Sequence, residues 1–350
     1  MLKDNLGVTM QMVADEAGVS RATVSRVFSN PEIVDKETAS RIKAIAARLG
    51  YIRNEAATQL ASRSSDLIGL LVRDVTNEAY ARLYDNLIHS VLDEGYFINA
   101  MSVGSTRNKN VGTGQAAEMK RHENKRLARL MSLRPGGIFV STGLIKPQDI
   151  LPYASQIPVI VMPHPEPHPQ LNAVGYDEES NARIVSQMII DAGHKKVGVM
   201  TALRENSLTE YIRGEGVIKH LSEAGIEVFR RPLPPIGSDA LDRFFLTVAE
   251  DVKNNRYTAM SFLNDHRAIK FIIWAQEHGI KVPEDIGVVG YDGLGQASKV
   301  VGLSTLRHPV DQVCEKGASE MLGMLKGEIR SNEGRKFLFA GEPITGRTLS

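Results

Sequence analysis

The chain has 350 residues, of which 42% are hydrophobic and 24% charged, and its formal net charge is +1. This length exceeds one typical domain, and the composition is that of a globular protein rather than a disordered or fibrous one. There is no apolar run of roughly 18 residues, no charged-then-apolar leader and only one cysteine, Cys314. We therefore expect a cytoplasmic protein without membrane spans, disulfides or a cysteine zinc site.

Residues 8–28 predict two short helices separated by a tight turn. Thr9 and Ser20 are suitable N-caps for these helices, and Gly18 can adopt the left-handed conformation that ends the first one. Two helices joined in this way form a helix-turn-helix, whose second helix enters the major groove of DNA. A small three-helix domain without a ligand is the alternative interpretation of this shape.

The second helix is expected to bury Val24 and Val27 and to present its other face to DNA, and Asp35 is expected to cap a third helix. Side chains of this face and of the first cap would read base edges or bind phosphates. The predicted contacts are Arg21 and Ala22 at base edges, Arg26 at guanine or phosphate, and Thr9, Thr23 and Ser25 at phosphates.

Two patterns give this head a family resemblance. They are VTxxxVAxxAGVSxxTVSRV over residues 8–27 and LGYxxNxxAxxL over residues 49–60. Both resemble the LacI/GalR family of bacterial transcription regulators. The resemblance continues through fragments of the remaining chain, such as residues 174–178, 262–265 and 282–292. It implies a repressor that binds a pseudo-palindromic operator as a homodimer and is switched allosterically by a small effector.

The resemblance also assigns residues after Tyr51 to a hinge helix at about 54–61 that folds on operator DNA. It implies DNA contacts by Tyr51, Asn54, Ala57 and Leu60, with Leu60 wedged into the minor groove. The segment is rich in helix formers but too short to be stable alone, so folding on binding is expected. The alternative is that Leu60 packs on the core domain. We place the DNA-binding domain at residues 1–61 and the core at 62–350.

After Leu67, short apolar runs alternate with longer helical segments, which predicts parallel α/β sheets with helices on both faces. Two consecutive sets of such units imply two doubly wound lobes, and the resemblance adds a periplasmic-binding-protein-like core with three crossovers. We expect the first lobe at roughly 67–163 plus a strand near 290–325. The predicted strands are Leu67–Val72, Gly137–Val140, Val159–Met162, Val197–Met200, Ala259–Leu263 and Ile286–Val289.

Ligands of such folds bind in the cleft where the carboxyl ends of the strands meet. By resemblance, Arg213, Asn264 and Asp292 occupy effector-binding positions, to which we add the aromatic ring of Tyr80 and the imidazole of His164. This set fits a polyhydroxylated ring such as a sugar, polyol or nucleoside. The alternative for each residue is a strand-end cap or a hydrogen bond between the lobes.

Other functions are less well supported by the residues. His164 and His168 flank Glu166 in a proline-rich stretch, which favours an extended loop over a metal site, and we expect no metal and no cofactor. The Gly290–Gly295 cluster lacks the full dinucleotide fingerprint, so an enzyme is not expected. A solute-binding protein would share the core but has no use for a helix-turn-helix. A regulator that responds to a protein partner remains an alternative.

The stretch from 104 to 134 holds eight Lys/Arg against two Asp/Glu. A solvated face is favoured over a second DNA contact there, because charge runs are usually exposed to water.

Overall fold

The computed structural model describes residues 7–52, 65–75, 77–103, 115–142, 145–163, 168–204, 207–233, 240–331 and 333–349, with only the backbone for 115–119. The chain divides into two units, residues 1–64 and 65–350. The predicted hinge helix with Asn54, Ala57 and Leu60, and the predicted effector contact His164, lie outside the described residues.

The N-terminal unit forms helices α1 (Met10–Ala17), α2 (Arg21–Ser29) and α3 (Lys36–Leu49), with a 3-10 turn at Pro31–Ile33. Each helix begins at a side-chain cap, as predicted from the sequence. The Thr9 hydroxyl accepts from the Met12 amide at 3.3 Å, Ser20 accepts from Thr23 at 3.1 Å, and Asp35 accepts from Thr38 at 3.0 Å.

Gly18 ends α1 in the left-handed conformation with φ of 63°, which only glycine adopts without steric cost. Val24 and Val27 of α2 pack with Ile42 of α3 in one buried cluster. Met12 of α1 is 49% exposed despite its apolar side chain.

The core unit contains strands that alternate with helices along most of its length. The described strands are β1 (Leu67–Val72), β2 (Phe97–Ser102), β3 (Gly137–Ser141), β4 (Val159–Val161), β5 (Asn172–Tyr176), β6 (Lys196–Thr201), β7 (Glu227–Pro232), β8 (Ala259–Ser261), β9 (Gly287–Asp292), β10 (Ser304–Arg307), β11 (Lys336–Phe339) and β12 (Glu342–Ile344).

The described helices of the core cover the faces of these strands. They are α4 (Glu78–Leu92), α5 (Gln115–Met131), α6 (Pro147–Ala154), α7 (Glu178–Asp191), α8 (Leu208–Glu223), α9 (Ala240–Lys253), α10 (Asp265–Glu277), α11 (Gln296–Val301) and α12 (Val310–Leu325). Among the described residues, no helix is long and apolar enough to cross a membrane.

The strands form two six-stranded sheets, which confirms the predicted two-lobed α/β core. The first sheet has the order β11-β5-β4-β3-β1-β2 and the second β12-β10-β9-β8-β6-β7. The recorded pairs are parallel except that of β10 with β12. The chain passes between the sheets after β5, after β10 and between β11 and β12, so three segments connect the lobes.

The predicted division between the lobes was wrong in two places. The strand near 290 is β9, which pairs with β8 through Ala259 and Gly287 and therefore lies in the second sheet. Strand β5, which the prediction left to the second lobe, pairs with β4 in the first sheet. The apolar character of a strand does not identify its neighbour, because pairing partners are distant along the chain.

Candidate DNA-reading face and effector cleft

Helix α2 separates its buried and exposed faces as predicted. Val24 and Val27 are buried, whereas the other face carries two guanidinium groups and two small residues in water. Its exposed residues include Arg21, Ala22, Ser25 and Arg26. The face can therefore place hydrogen-bond donors against base edges and phosphates without first breaking a buried contact.

Two predicted DNA contacts also have local structural roles. Thr23 is half-buried, and its hydroxyl lies 2.9 Å from that of Ser20 at the start of α2. The Tyr51 ring packs on Phe28 with centroids 5.7 Å apart, and the Tyr51 amide donates to the Ala46 carbonyl at 2.8 Å. Tyr51 thus fastens the end of α3 to α2, and its DNA contact stays a prediction.

Each sheet of the core has a point where successive connections diverge to opposite sides. From β1 the chain continues to β2 on one side and then to β3 on the other, and β6 has the same relation to β7 and β8. Crevices outside the carboxyl ends of strands at such points are the usual ligand sites of open α/β sheets. Arg73 follows β1, Asn264 follows β8, and Asp292 ends the neighbouring strand β9.

Arg213 of α8 is buried at this cleft and is held by protein groups. Its Nη2 and Nε donate to the two carboxylate oxygens of Glu178 at 2.9 and 3.3 Å, and its Nη1 donates to the Leu263 carbonyl at 2.7 Å. Burial alone would lower the pKa of Arg213, but the Glu178 carboxylate outweighs it and the pKa is raised. Arg213 is therefore charged, and its ion pair holds α7 and α8 together.

His308 follows β10, at the second passage between the lobes, and contacts Arg213. The Arg213 Nη2 lies 3.0 Å from His308 Nε2, and because arginine only donates, this imidazole nitrogen accepts. The imidazole ring stacks on Tyr176 with centroids 4.1 Å apart and planes 2° apart. Tyr176 ends β5 at the first passage, so the stack joins two of the three connecting segments.

Asp292 is the predicted effector residue with the most unusual environment. Its φ is 115°, a conformation that side-chain-bearing residues rarely adopt, and its side chain is 19% exposed. Burial, and then the neighbouring Asp265 carboxylate, raise the pKa of Asp292. A carboxyl group accepts hydrogen bonds from ligand hydroxyls when it is ionised and can also donate one when it is protonated.

Asp265, which the sequence reasoning missed, fixes the loop after β9. Its Oδ2 accepts from the Gly293 amide at 2.9 Å and the Ser298 hydroxyl at 2.8 Å, and its Oδ1 accepts from the Thr305 hydroxyl at 2.6 Å. Burial raises the pKa of Asp265. Asp265 directly follows the predicted site residue Asn264, and this position in the sequence could have identified it.

Asn264 caps α10, as its alternative interpretation proposed. Its Oδ1 accepts from the Arg267 amide at 3.0 Å, and its Nδ2 lies 3.5 Å from Glu210 Oε1. The same Glu210 oxygen accepts from Arg267 Nη1 at 2.6 Å. Burial alone would raise the pKa of Glu210, but the Arg267 guanidinium outweighs it and lowers the pKa.

Tyr80 of α4 belongs to the first lobe and lies close to these groups of the second. Burial raises the pKa of its phenol, and Arg73, Glu210 and Asp292 act on it electrostatically. The structure thus brings together the four described effector candidates, Tyr80, Arg213, Asn264 and Asp292. Sequence reasoning had not included Arg73, Glu178, Glu210 or Arg267.

Within the described part of the chain, no group of three or more His, Cys, Asp or Glu side chains is arranged to hold a metal ion.

Comparisons with known proteins agree with both units. Residues 9–54 match the model of bacterial regulatory proteins of the lacI family, and residues 187–349 match the periplasmic binding protein-like domain. The ribose operon repressor of Bacillus subtilis is 29% identical over 328 residues, which cover 91% of this chain and 92% of the relative. The chain thus carries a LacI-family DNA-binding domain and a periplasmic-binding-protein-like domain.

Two further similarities extend over nearly the whole chain. The transcriptional repressor PurR of Photobacterium profundum is 28% identical over 345 residues, or 97% of this chain and 98% of the relative. A crystal structure of the Lac repressor dimer bound to operator and the anti-inducer ONPF has a TM-score of 0.80 at 22% identity, covering 98% of this chain and 99% of that one. These curated relatives are transcriptional regulators and not enzymes.

Proposed function

We propose that this protein is a cytoplasmic transcriptional repressor that binds a pseudo-palindromic operator as a homodimer and responds to a small polar effector. The observation that carries the proposal is the occurrence, in one chain, of an exposed helix α2 in a helix-turn-helix and a polar cleft between two α/β lobes. The first feature suits base reading, and the second suits a small ligand.

The proposed dimer presents two α2 helices to two half-sites, because protein two-fold symmetry is mirrored in operator symmetry. Residues 54–61 would serve as the hinge, with Leu60 in the minor groove. Affinity then depends on placed contacts and two-fold binding, since residues 1–65 hold only nine Lys/Arg against seven Asp/Glu.

Effector binding between the lobes would shift the equilibrium between a closed and an open arrangement of the core. The change in operator affinity is limited by the effector's differential affinity for the two states, typically about 1–3 kcal/mol. The connecting segments carry this motion, and His308 on one of them stacks on Tyr176 at another and contacts Arg213 of the second lobe.

Selection from a library of random duplexes with the full-length protein tests the DNA half of this proposal. We expect enrichment of a sequence with two inverted half-sites, bound with one dimer per duplex. A control protein with Arg21 and Arg26 both changed to alanine should enrich no sequence. If the unaltered protein also enriches nothing, or enriches a single asymmetric site bound by a monomer, the proposal is wrong.

A further inference from the structure

Three of the described arginines lie at the cleft, and two of them are already engaged by carboxylates. Arg213 directs four of its five N–H groups at Glu178, the Leu263 carbonyl and His308. Arg267 donates to Glu210 at 2.6 Å. The Arg213 guanidinium cannot present its two-pronged edge to a ligand without first losing a buried partner, and the charge of Arg267 is paired with Glu210.

The third arginine, Arg73, is placed differently. It directly follows β1, and its amide donates to the Ser141 carbonyl at 3.0 Å, so its backbone is fixed beside the carboxyl end of β3. The side chain is half-buried. Within the described ranges, the Arg73 guanidinium forms no ion pair and donates no hydrogen bond.

Among the described residues, the carboxylate that acts on Arg73 already has another partner. Glu210 lies within its electrostatic reach, but that carboxylate is held by Arg267. Tyr80 lies nearby as well, and a neutral phenol cannot neutralise a guanidinium. Withdrawing an unpaired cation further from water when the lobes close would be costly, and a ligand anion would remove that cost.

We propose that the effector is a hydroxylated small acid, a sugar acid or a sugar phosphate, whose oxyanion binds Arg73 while its hydroxyls face Asp292 and Asn264. This inference rests on the effector cleft of the proposed function and deepens it. A planar guanidinium matches both a carboxylate and a phosphate through paired hydrogen bonds. A neutral sugar would leave Arg73 without a partner and would bind more weakly.

The test uses matched compounds that differ in charge. Full-length protein is titrated calorimetrically with glucuronate and glucose 6-phosphate against glucose, with gluconate against sorbitol, and with ribose 5-phosphate against ribose. We expect at least one acid to bind about tenfold to a hundredfold more tightly than its neutral parent, since hydrogen bonds to charged groups have this strength. Preference within the acids distinguishes a carboxylate from a phosphate ligand.

Substitutions test whether Arg73 is the residue that binds the acid group. Arg73→Gln should abolish the preference for the acid, and Arg73→Lys should retain part of it and show that the fold tolerates substitution. Lys195→Gln is the matched control, because it removes one exposed charge at the amino end of β6, away from the cleft, and it should bind the acid normally.

The possible failures are distinguishable. Equal binding of acids and neutral parents that is lost in Asp292→Gly would overturn the assignment of Arg73 and leave the effector cleft intact. An acid preference that survives in Arg73→Gln would also overturn it. Binding of neither class would overturn both the inference and the effector half of the proposed function.

Discussion

The carboxylate of Glu178 and the guanidinium of Arg213 form a two-point ion pair, with Nη2–Oε1 and Nε–Oε2 distances of 2.9 and 3.3 Å. Their side chains are only 9% and 5% exposed. Glu178 begins α7 just after the first passage between the lobes, and Arg213 also contacts His308 at the second. The pair therefore stabilises the second lobe beside the segments about which the lobes would move.

Replacing Arg213 by methionine should lower the free energy of unfolding by about 3–5 kcal/mol, because the buried Glu178 carboxylate loses its two-point ion pair with this guanidinium. Chemical denaturation of the core transition measures the change. Lys219→Met is the matched control, since Lys219 and Glu179 join the same two helices through an exposed pair, and it should cost less than about 1 kcal/mol. Equal effects of the two substitutions would show that the buried pair has no special role.

Replacing Arg26 by alanine should weaken binding to a selected operator by about 1–3 kcal/mol and relax the preference at one base pair. Fluorescence anisotropy against duplexes changed at single positions measures both effects. Lys43→Ala removes an equal charge from the exposed side of α3 and should at most lower affinity uniformly for all duplexes. Unchanged affinity and selectivity in Arg26→Ala would rule out a base contact.

Asp35 should make the N-terminal unit sensitive to acid. Hydrogen bonds, first from the Thr38 amide, lower its pKa from the ordinary value, so the charged form is favoured by folding. Its stabilising contribution is complete above the unfolded-state pKa, near 4, and is lost as the pH falls through the lower folded-state value.

Thermal unfolding of Asp35→Asn and the unaltered protein at pH 7 and pH 3 tests this sign. Asparagine also caps helices, so the unaltered protein should be the more stable at pH 7 and lose that advantage at pH 3. Asp35→Ala, which removes the cap, should be less stable than Asp35→Asn at both values. An advantage that grows towards pH 3 would reverse the assignment.

The predictable part of the structure is the part encoded locally. Thr9, Ser20 and Asp35 each cap a helix through a residue three positions later, and such spacing is visible in the sequence. The apolar runs that became β1 and β9 were likewise visible as strands. Their membership of a sheet was not, because it depends on pairing between segments far apart along the chain.

The contacts within the cleft were also not predictable from the sequence, because they join residues that are far apart along the chain. Family resemblance identified Arg213 and Asp292, but not the partners that determine their chemistry. Arg213 meets Glu178 across 35 positions of the chain and His308 across 95, and Asp265 fixes the loop beside Asp292 through Thr305, 40 positions away. An arginine expected to grip the effector is thus already occupied by the protein.

The most direct test of the account is operator affinity measured by anisotropy while the full-length protein is titrated with the paired acids and neutral sugars. We predict that at least one compound changes the operator Kd by about 5-fold to 150-fold. The change should vanish in Asp292→Gly, which keeps normal operator binding because glycine accepts the positive φ of this position. If no compound changes the Kd, or if Asp292→Gly responds like the unaltered protein, the cleft is not the regulatory site.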